Sequence, residues 1–410
     1  MESGEQPQPH KLTNVVVIRT GDGTGDGPRG ATESGSSSTR TADRTAIRMG
    51  AAPPLPVAPS RKRNLGGGGY PVEDVTFKTL LVDMKHRDGS ILNESSFLKR
   101  LYRTSITDET YLKPMMMSKN PKCQPYSREC QSHVYCNMMQ IYWLKLAYIY
   151  VDSLDGPVQL YGYLAARDLL NPRRNYLFNR RRDDPFIVVG DDDWLIQMSG
   201  PKRGIEMTSP VLIEFDMKVK TGESEEEDLQ LIDGAVLFSD MDPPIDMAFT
   251  ERLGGEGGAV DINLAHLYEA AEATIQVRIS EVCCGGMSLC LIASGSGLLE
   301  KARLFDGIVA EAPCDLDRFV FSVKKRTKLI VVLKIGRSDG SDSVHRFHVF
   351  NVQKHGDSIV SFRLSFATIQ VTVTWSTLDI PDSALGEDNH GQWSSDDTSE
   401  DDYEYDWNDY

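Results

Sequence analysis

The chain has 410 residues, 40% of them hydrophobic, which is enough to bury a sizeable core. Its formal charge is −16, but Asp379 to Tyr410 hold twelve acids and no Lys or Arg, so the rest of the chain carries only about −4. That balance argues against a dedicated nucleic-acid domain, and no apolar run approaches the ~18 residues of a membrane-spanning helix.

Residues 1–69 are rich in Gly, Ser, Thr and Pro ("GATESGSSSTRTADRT", "AAPPLPVAPSRKRNLGGGG"). Such a composition buries too little apolar surface to offset its ordering entropy and reads as a disordered leader. Glu2 and Glu5 precede a short apolar run, Val15 to Ile18, which is not a secretory signal. The seven cysteines are therefore expected as reduced thiols of a soluble protein of the cytoplasm or nucleus. Arg61-Lys62-Arg63 is a minimal import signal. Gly25-Asp26-Gly27-Pro28-Arg29-Gly30 matches G-x-G-x-x-G. A dinucleotide needs a helix N-terminus after such a loop. Here Pro28 and "GATESGSSS" follow instead, and Asp22 and Asp26 would repel phosphate, so no cofactor is expected.

Residues 70–135 form a mixed lead-in. Its one helical segment is "ESSFLKRLYR", with Asn93 as a candidate cap and Phe97, Leu98 and Leu101 at helical spacing. From residue 136 to 378 the apolar period becomes two. Val211, Ile213, Phe215, Met217 and Val219 make one such row, and Ile275, Val277 and Ile279 another. Leu329, Val331, Leu333 and Ile335 follow, then Ala367, Ile369, Val371, Val373 and Trp375. Each reads as a strand with one dry face and one wet face. "MQIYWLKLAYI" and "VQLYGYLAARD" are further strands; "DINLAHLYEAAEA", Asp261 to Ala273, is the one fair helix candidate. The apolar register slips between Phe366 and Ile369, which a bulge or bend near Ala367 would explain. Many strands without crossover helices predict a mostly β protein, an antiparallel β-sandwich or barrel-like domain with few short helices, disordered termini and a greasy interior. Residues 379–410 form an acidic tail in which Tyr403, Tyr405, Trp407 and Tyr410 are interleaved with carboxylates, a composition suited to protein interaction.

Several residue sets bear on chemistry. Cys123, Cys130, His133 and Cys136 are soft donors, but their spacing differs from the paired close ligands of a zinc knuckle. Asp168, Asp183, Asp184 and Asp191 to Asp193 offer carboxylates to a hard cation such as calcium. Cys283-Cys284 reads as a pair of idle thiols at a strand end. His345 and His348 lie on opposite faces of a strand by parity. No metal or catalytic set is complete. "NPRRNYLFNRRRDDP", Asn171 to Pro185, has the arginines and aromatics of a single-strand-binding patch. As a strand it sends Tyr176 and Phe178 to one face and leaves the arginines at the ends, paired with nearby acids. The residues to examine first for binding are Arg167, Asp168, Arg174, Arg180, Arg182, Lys202 and Arg203, at expected loop tips. Each also suits an ion pair or turn.

The segments "VQLYGYLAARDLLNPRRNYLFNRRRDDP" (158–185), "LIQMSGPKRGIEMTSPVLIEFDMKVK" (195–220), "LIDGAV" (231–236) and "EATIQVRI" (272–279) resemble a grass-rich plant domain of unknown function. That domain is also found C-terminal to the ribosome-inactivating N-glycosidase of jasmonate-induced proteins. The resemblance spans about residues 100 to 378 and excludes the leader and tail. It supports a β-rich fold, treats "RNYLFNRRRDD" as a recurrent element of the domain, and implies a setting in plant stress or defence. It brings no mechanism. The glycosidase pair itself is Glu-x-x-Arg on a buried helix; Glu300-Lys301-Ala302-Arg303 has the spacing but sits in a glycine-flanked segment that reads as a strand. The expectation is thus a non-catalytic binding or regulatory protein with protein partners. The alternatives are rRNA N-glycosidase activity and nucleic-acid binding through residues 173–182.

Overall fold

The computed structural model describes residues 46–48, 78–111, 133–150, 157–188, 194–241, 245–282, 285–337 and 343–379. They form antiparallel sheets around one ten-stranded central sheet. Its longest members are Cys136–Tyr150 and the 25-residue strand Gly258–Val282, which pair with each other over much of their length. Ala46–Arg48, from within the leader, adds to this sheet by pairing with Tyr148 to Tyr150.

The central sheet serves two sandwiches, one on each face. Val260, Ile262 and Leu264 belong to a first core, while Ala265 and Leu267, of opposite parity on the same strand, belong to a second. The first core is closed by a six-stranded sheet that includes Val158–Arg167, Asn175–Arg180, Val211–Val219 and Leu229–Phe238. The second is closed by a four-stranded sheet ordered Ala302–Val309, Met287–Gly295, Lys328–Arg337, Ser343–Asn351.

This double use explains why Asp261 to Ala273 is strand and not helix. A strand with both faces buried is apolar at both parities and imitates a helical pattern. Pairing with strands on both sides then decides the matter. Bulges serve the same end. Tyr142 is the extra residue where Trp143 pairs with Asn263 and Ile141 with Leu264, so Ile141 and Leu144 share the first core despite opposite parity.

The register slip before Ile369 is a bend and a bulge together: Gly356–Arg363 turns into Ala367–Ser376, the Leu364 N–H donates to Ala367 O at 2.8 Å, and the pairing with Gly258–Val282 skips Ser280 between Ile369 and Thr368. Two expectations change in detail. The short helix is Phe97–Leu101, capped by Ser96 and not by Asn93. The outer face of Val211–Val219 is wet only in its second half: Leu212 and Glu214 are fully buried, while Asp216 and Lys218 are half-buried. Met84, Ile91 and Tyr102 from the lead-in pack on Leu212 and Ala235, adding a layer that strand periodicity cannot reveal.

Candidate functional site

Two clusters of charged side chains lie at the end of the first sandwich, where residues 103–110 cross the ends of Val158–Arg167 and Asn175–Arg180. The interior is therefore not purely apolar, contrary to the greasy interior that the alternating pattern predicts. In the first cluster Arg203 closes a fork on Asp168, with Nη1 to Oδ2 and Nη2 to Oδ1 both at 2.7 Å. Its remaining donors reach Thr110 Oγ1, Gly204 O and Asn171 O. Asp168 also accepts from the N–H groups of Asn171 and Glu206. Every Arg203 nitrogen thus has an acceptor, the condition under which a buried charge is tolerated. The Gly204 N–H donates to Glu272 Oε2 at 2.7 Å. Burial pushes the Glu206 carboxyl above its ordinary range, against hydrogen bonds from Thr208.

The second cluster centres on Glu214. Its Oε1 accepts from Arg167 Nη2 at 3.2 Å and from Arg174 Nε. Its Oε2 has no hydrogen bond and lies 3.9 Å from His86 Nε2, a charge contact longer than a hydrogen bond. His86 Nδ1 meets Asp233 Oδ1 at 2.9 Å. Arg174 also donates to the Tyr163 hydroxyl and lies 4.4 Å above the Tyr163 ring. Burial alone would raise the Glu214 carboxyl; His86, Arg167 and Arg174 outweigh it and hold it at about 2. Burial lowers His86, yet Glu214 and Asp233 leave its imidazole net raised.

Four of the seven residues singled out from the sequence, Arg167, Asp168, Arg174 and Arg203, are thus buried clasps at the strand ends. The other three lie at the rim with partners: Arg180 with Asp184 at 3.2 Å, Arg182 with Asp228 at 2.6 Å, and Lys202 with Glu109. Local ion pairing around the arginine-rich stretch is present for Arg180 and Asp184. The face assignment in that stretch changes, because a bulge at Leu177 puts Tyr176 beside Tyr163 on the outer face and Phe178 in the first core. Sequence reading missed His86, Glu214 and Asp233 as cluster members. A buried polar parity inside otherwise apolar strands, such as Glu214 in "VLIEFDMKV", was the available signal.

Among the described residues no group of three or more His, Cys, Asp or Glu is arranged to hold a metal. His133 is buried with its ring 4.4 Å from that of His355, and burial pushes the Cys136 thiol up to about 12. Cys123, Cys130, Cys283, Cys284, Asp191 to Asp193, Gly25 to Gly30, Arg61 to Arg63 and the tail beyond Asp379 lie outside the described residues. Asp183 and Asp184 are exposed. Glu300 precedes the strand Ala302–Val309 and accepts from Trp143 Nε1 at 3.2 Å, while Arg303 pairs with Asp306. The Glu-x-x-Arg spacing is therefore at a strand entrance and not on a helix. One shallow concavity, lined in part by Asp246, Ser296, Ser322 and Lys324, opens beside the second core and is bridged by the Asp246–Lys324 ion pair.

Fold and clusters together define a double β-sandwich in which buried charge clasps one sandwich end. Residues 138–373 match the family model described as a domain of unknown function, DUF6598, and the chain belongs to that family. A comparison with curated proteins finds no match. Among solved structures, human GIVD cytosolic phospholipase A2 overlaps 61% of this chain at 10% identity and a TM-score of 0.19. The chain spans about a third of that protein (33%). The calcium-bound tandem C2 domains of Extended-Synaptotagmin 2 overlap 60% of this chain and 98% of theirs, at 10% identity and a TM-score of 0.22. Superpositions at these scores carry no argument about function.

Proposed function

We propose that the protein is a non-catalytic interaction module whose recognition surface is the outer face of the four-stranded sheet. One observation supports this above all. In the first sandwich the outer face is covered by the chain's own lead-in, whereas in the second Phe347 is 68% exposed and Val349 38% exposed. Phe347 lies opposite Val332, which pairs with Ile292, and Val349 lies opposite Ile330. Directly opposed side chains touch, so these five make one apolar patch. Exposed Lys328, Lys334 and His345 flank it on the same face. Such a patch suits a partner segment that presents aromatic or aliphatic side chains among carboxylates.

The charges of the two buried clusters hold one another at strand ends and so bind the fold together, which supports placing recognition elsewhere on the surface. A setting in plant stress or defence, in the cytoplasm or nucleus, is supported by the resemblance to the domain that accompanies jasmonate-induced ribosome-inactivating proteins. Among the described residues no helix is long and apolar enough to cross a membrane.

The test is selection of a displayed random-peptide library on the full chain, with a Phe347→Asp chain run in parallel. Acid–aromatic sequences should be enriched on the wild type and lost on the variant. Equal enrichment on both chains, with both folded by circular dichroism, would sink the proposal.

A further inference from the structure

The tail has the chemistry that this surface selects. In an extended segment Tyr403, Tyr405 and Trp407 point to one side, and Asp402, Glu404 and Asp406 to the other. Ser343–Asn351 is the end strand of its four-stranded sheet, and among the described residues no further strand pairs with its outer edge. Its outer side chains include Phe347 and Val349; Arg346, on the opposite parity, is exposed. A strand laid on that edge continues the apolar row with its aromatics and sets carboxylates beside Arg346. The strand has nine residues, the length of Asp401 to Asp409.

The exit point also fits. Leu378 and Asp379 pair with Val134 and His133, and the Thr377 hydroxyl donates to Lys354 O at 3.0 Å, three residues beyond Asn351. The tail therefore leaves beside the end of the edge strand. The chain from Ile380 to Glu400 spans roughly 25 Å as a coil and more when extended, ample for the segment to reach that edge.

We infer that Asp401–Tyr410 adds to the edge of Ser343–Asn351 and covers the recognition face in cis, so that an outside partner must displace it. The inference rests on the proposed recognition face and names its resident occupant. The experiment places a photo-crosslinking benzoylphenylalanine at position 347 of the full chain, where the exposed side chain leaves room. Crosslinked peptides are then identified by mass spectrometry in a mixture of light and heavy isotope-labelled chains. Intrachain crosslinks to residues 401–410 are expected. In parallel, amide exchange across Ser343–Asn351 is compared between the wild type and a Tyr403→Ser, Tyr405→Ser, Trp407→Ser chain, whose changes lie outside the described residues. Exchange should speed up about tenfold in the variant, the occupancy a weak segment reaches at the millimolar effective concentration of a tether. Unchanged exchange, or crosslinks only between chains, would overturn the inference. Interchain crosslinks would instead make a second copy the occupant. Peptide selection that depends on Phe347, with no cis crosslink, would refute the tail docking while leaving the recognition face in place.

Discussion

Asp168 and Arg203 are 35 residues apart in sequence and meet through two hydrogen bonds of 2.7 Å each. They come from Ala166-Arg167-Asp168 and Gly200-Pro201-Lys202-Arg203-Gly204, which lie in two of the segments on which the family resemblance rests, 158–185 and 195–220. The other two segments converge on the same place: Asp233 joins Glu214 in the second cluster through His86, and Glu272 touches Gly204. What these motifs share is a common buried clasp.

Breaking one side of that clasp leaves a charge buried without its partner. Asp168→Ala or Arg203→Ala should each cost about 3–5 kcal/mol. The double variant should cost much less than the sum, because the second change removes the orphaned charge. Urea denaturation of the four chains gives the coupling energy; additive losses would show that the two side chains do not depend on each other.

The Glu214 cluster sets a pH window. Glu214 is held at about 2 in the fold against an ordinary 4.5, so its contribution is complete above about 4.5 and is lost as pH falls toward 2. His86 is raised, so its contribution is complete below the ordinary 6.5 and is lost as pH rises through its folded value. These two groups together favour the interval between pH 4.5 and 6.5. Unfolding midpoints measured across pH should flatten on the acid side in Glu214→Gln and on the alkaline side in His86→Gln. An unchanged profile in both would remove these groups as its source.

Gly162 sits at φ +98°, and a Cβ there would stand 2.1 Å from Asp216 O on the neighbouring strand. Gly162→Ala combines a strained backbone with a clash against a sheet partner. A loss of at least about 1–3 kcal/mol is expected from the backbone alone. Thermal unfolding tests it, and a neutral result would mean that the strand pair has room to part.

Arg173, Arg174, Arg180 and Arg182 each have a carboxylate partner: Asp108, Glu214, Asp184 and Asp228 respectively. Charges already neutralised release few counterions from a polyanion. Labelled single-stranded RNA should therefore show no appreciable affinity for the full chain at physiological salt. Binding that weakens steeply with salt, and that Arg180→Ala with Arg182→Ala abolishes, would restore the nucleic-acid reading.

Period-two apolar rows fix which segments are strands, because alternation is a local property of the backbone; Val211–Val219, Lys328–Arg337 and Ala367–Ser376 follow from it directly. The short helix and the β-rich class were legible for the same reason. Which faces are dry is not local. Leu212 and Glu214 are buried by a layer from residues 81–102, and Asp261 to Ala273 is strand because partners on both sides and cores on both faces claim it. The arginines of the Asn171 to Pro185 stretch were visible as charges, and Arg180 finds Asp184 within it, but Arg173, Arg174 and Arg182 take Asp108, Glu214 and Asp228 from elsewhere in the chain, so only long-range pairing placed Arg174 in a buried clasp and left the others at the rim.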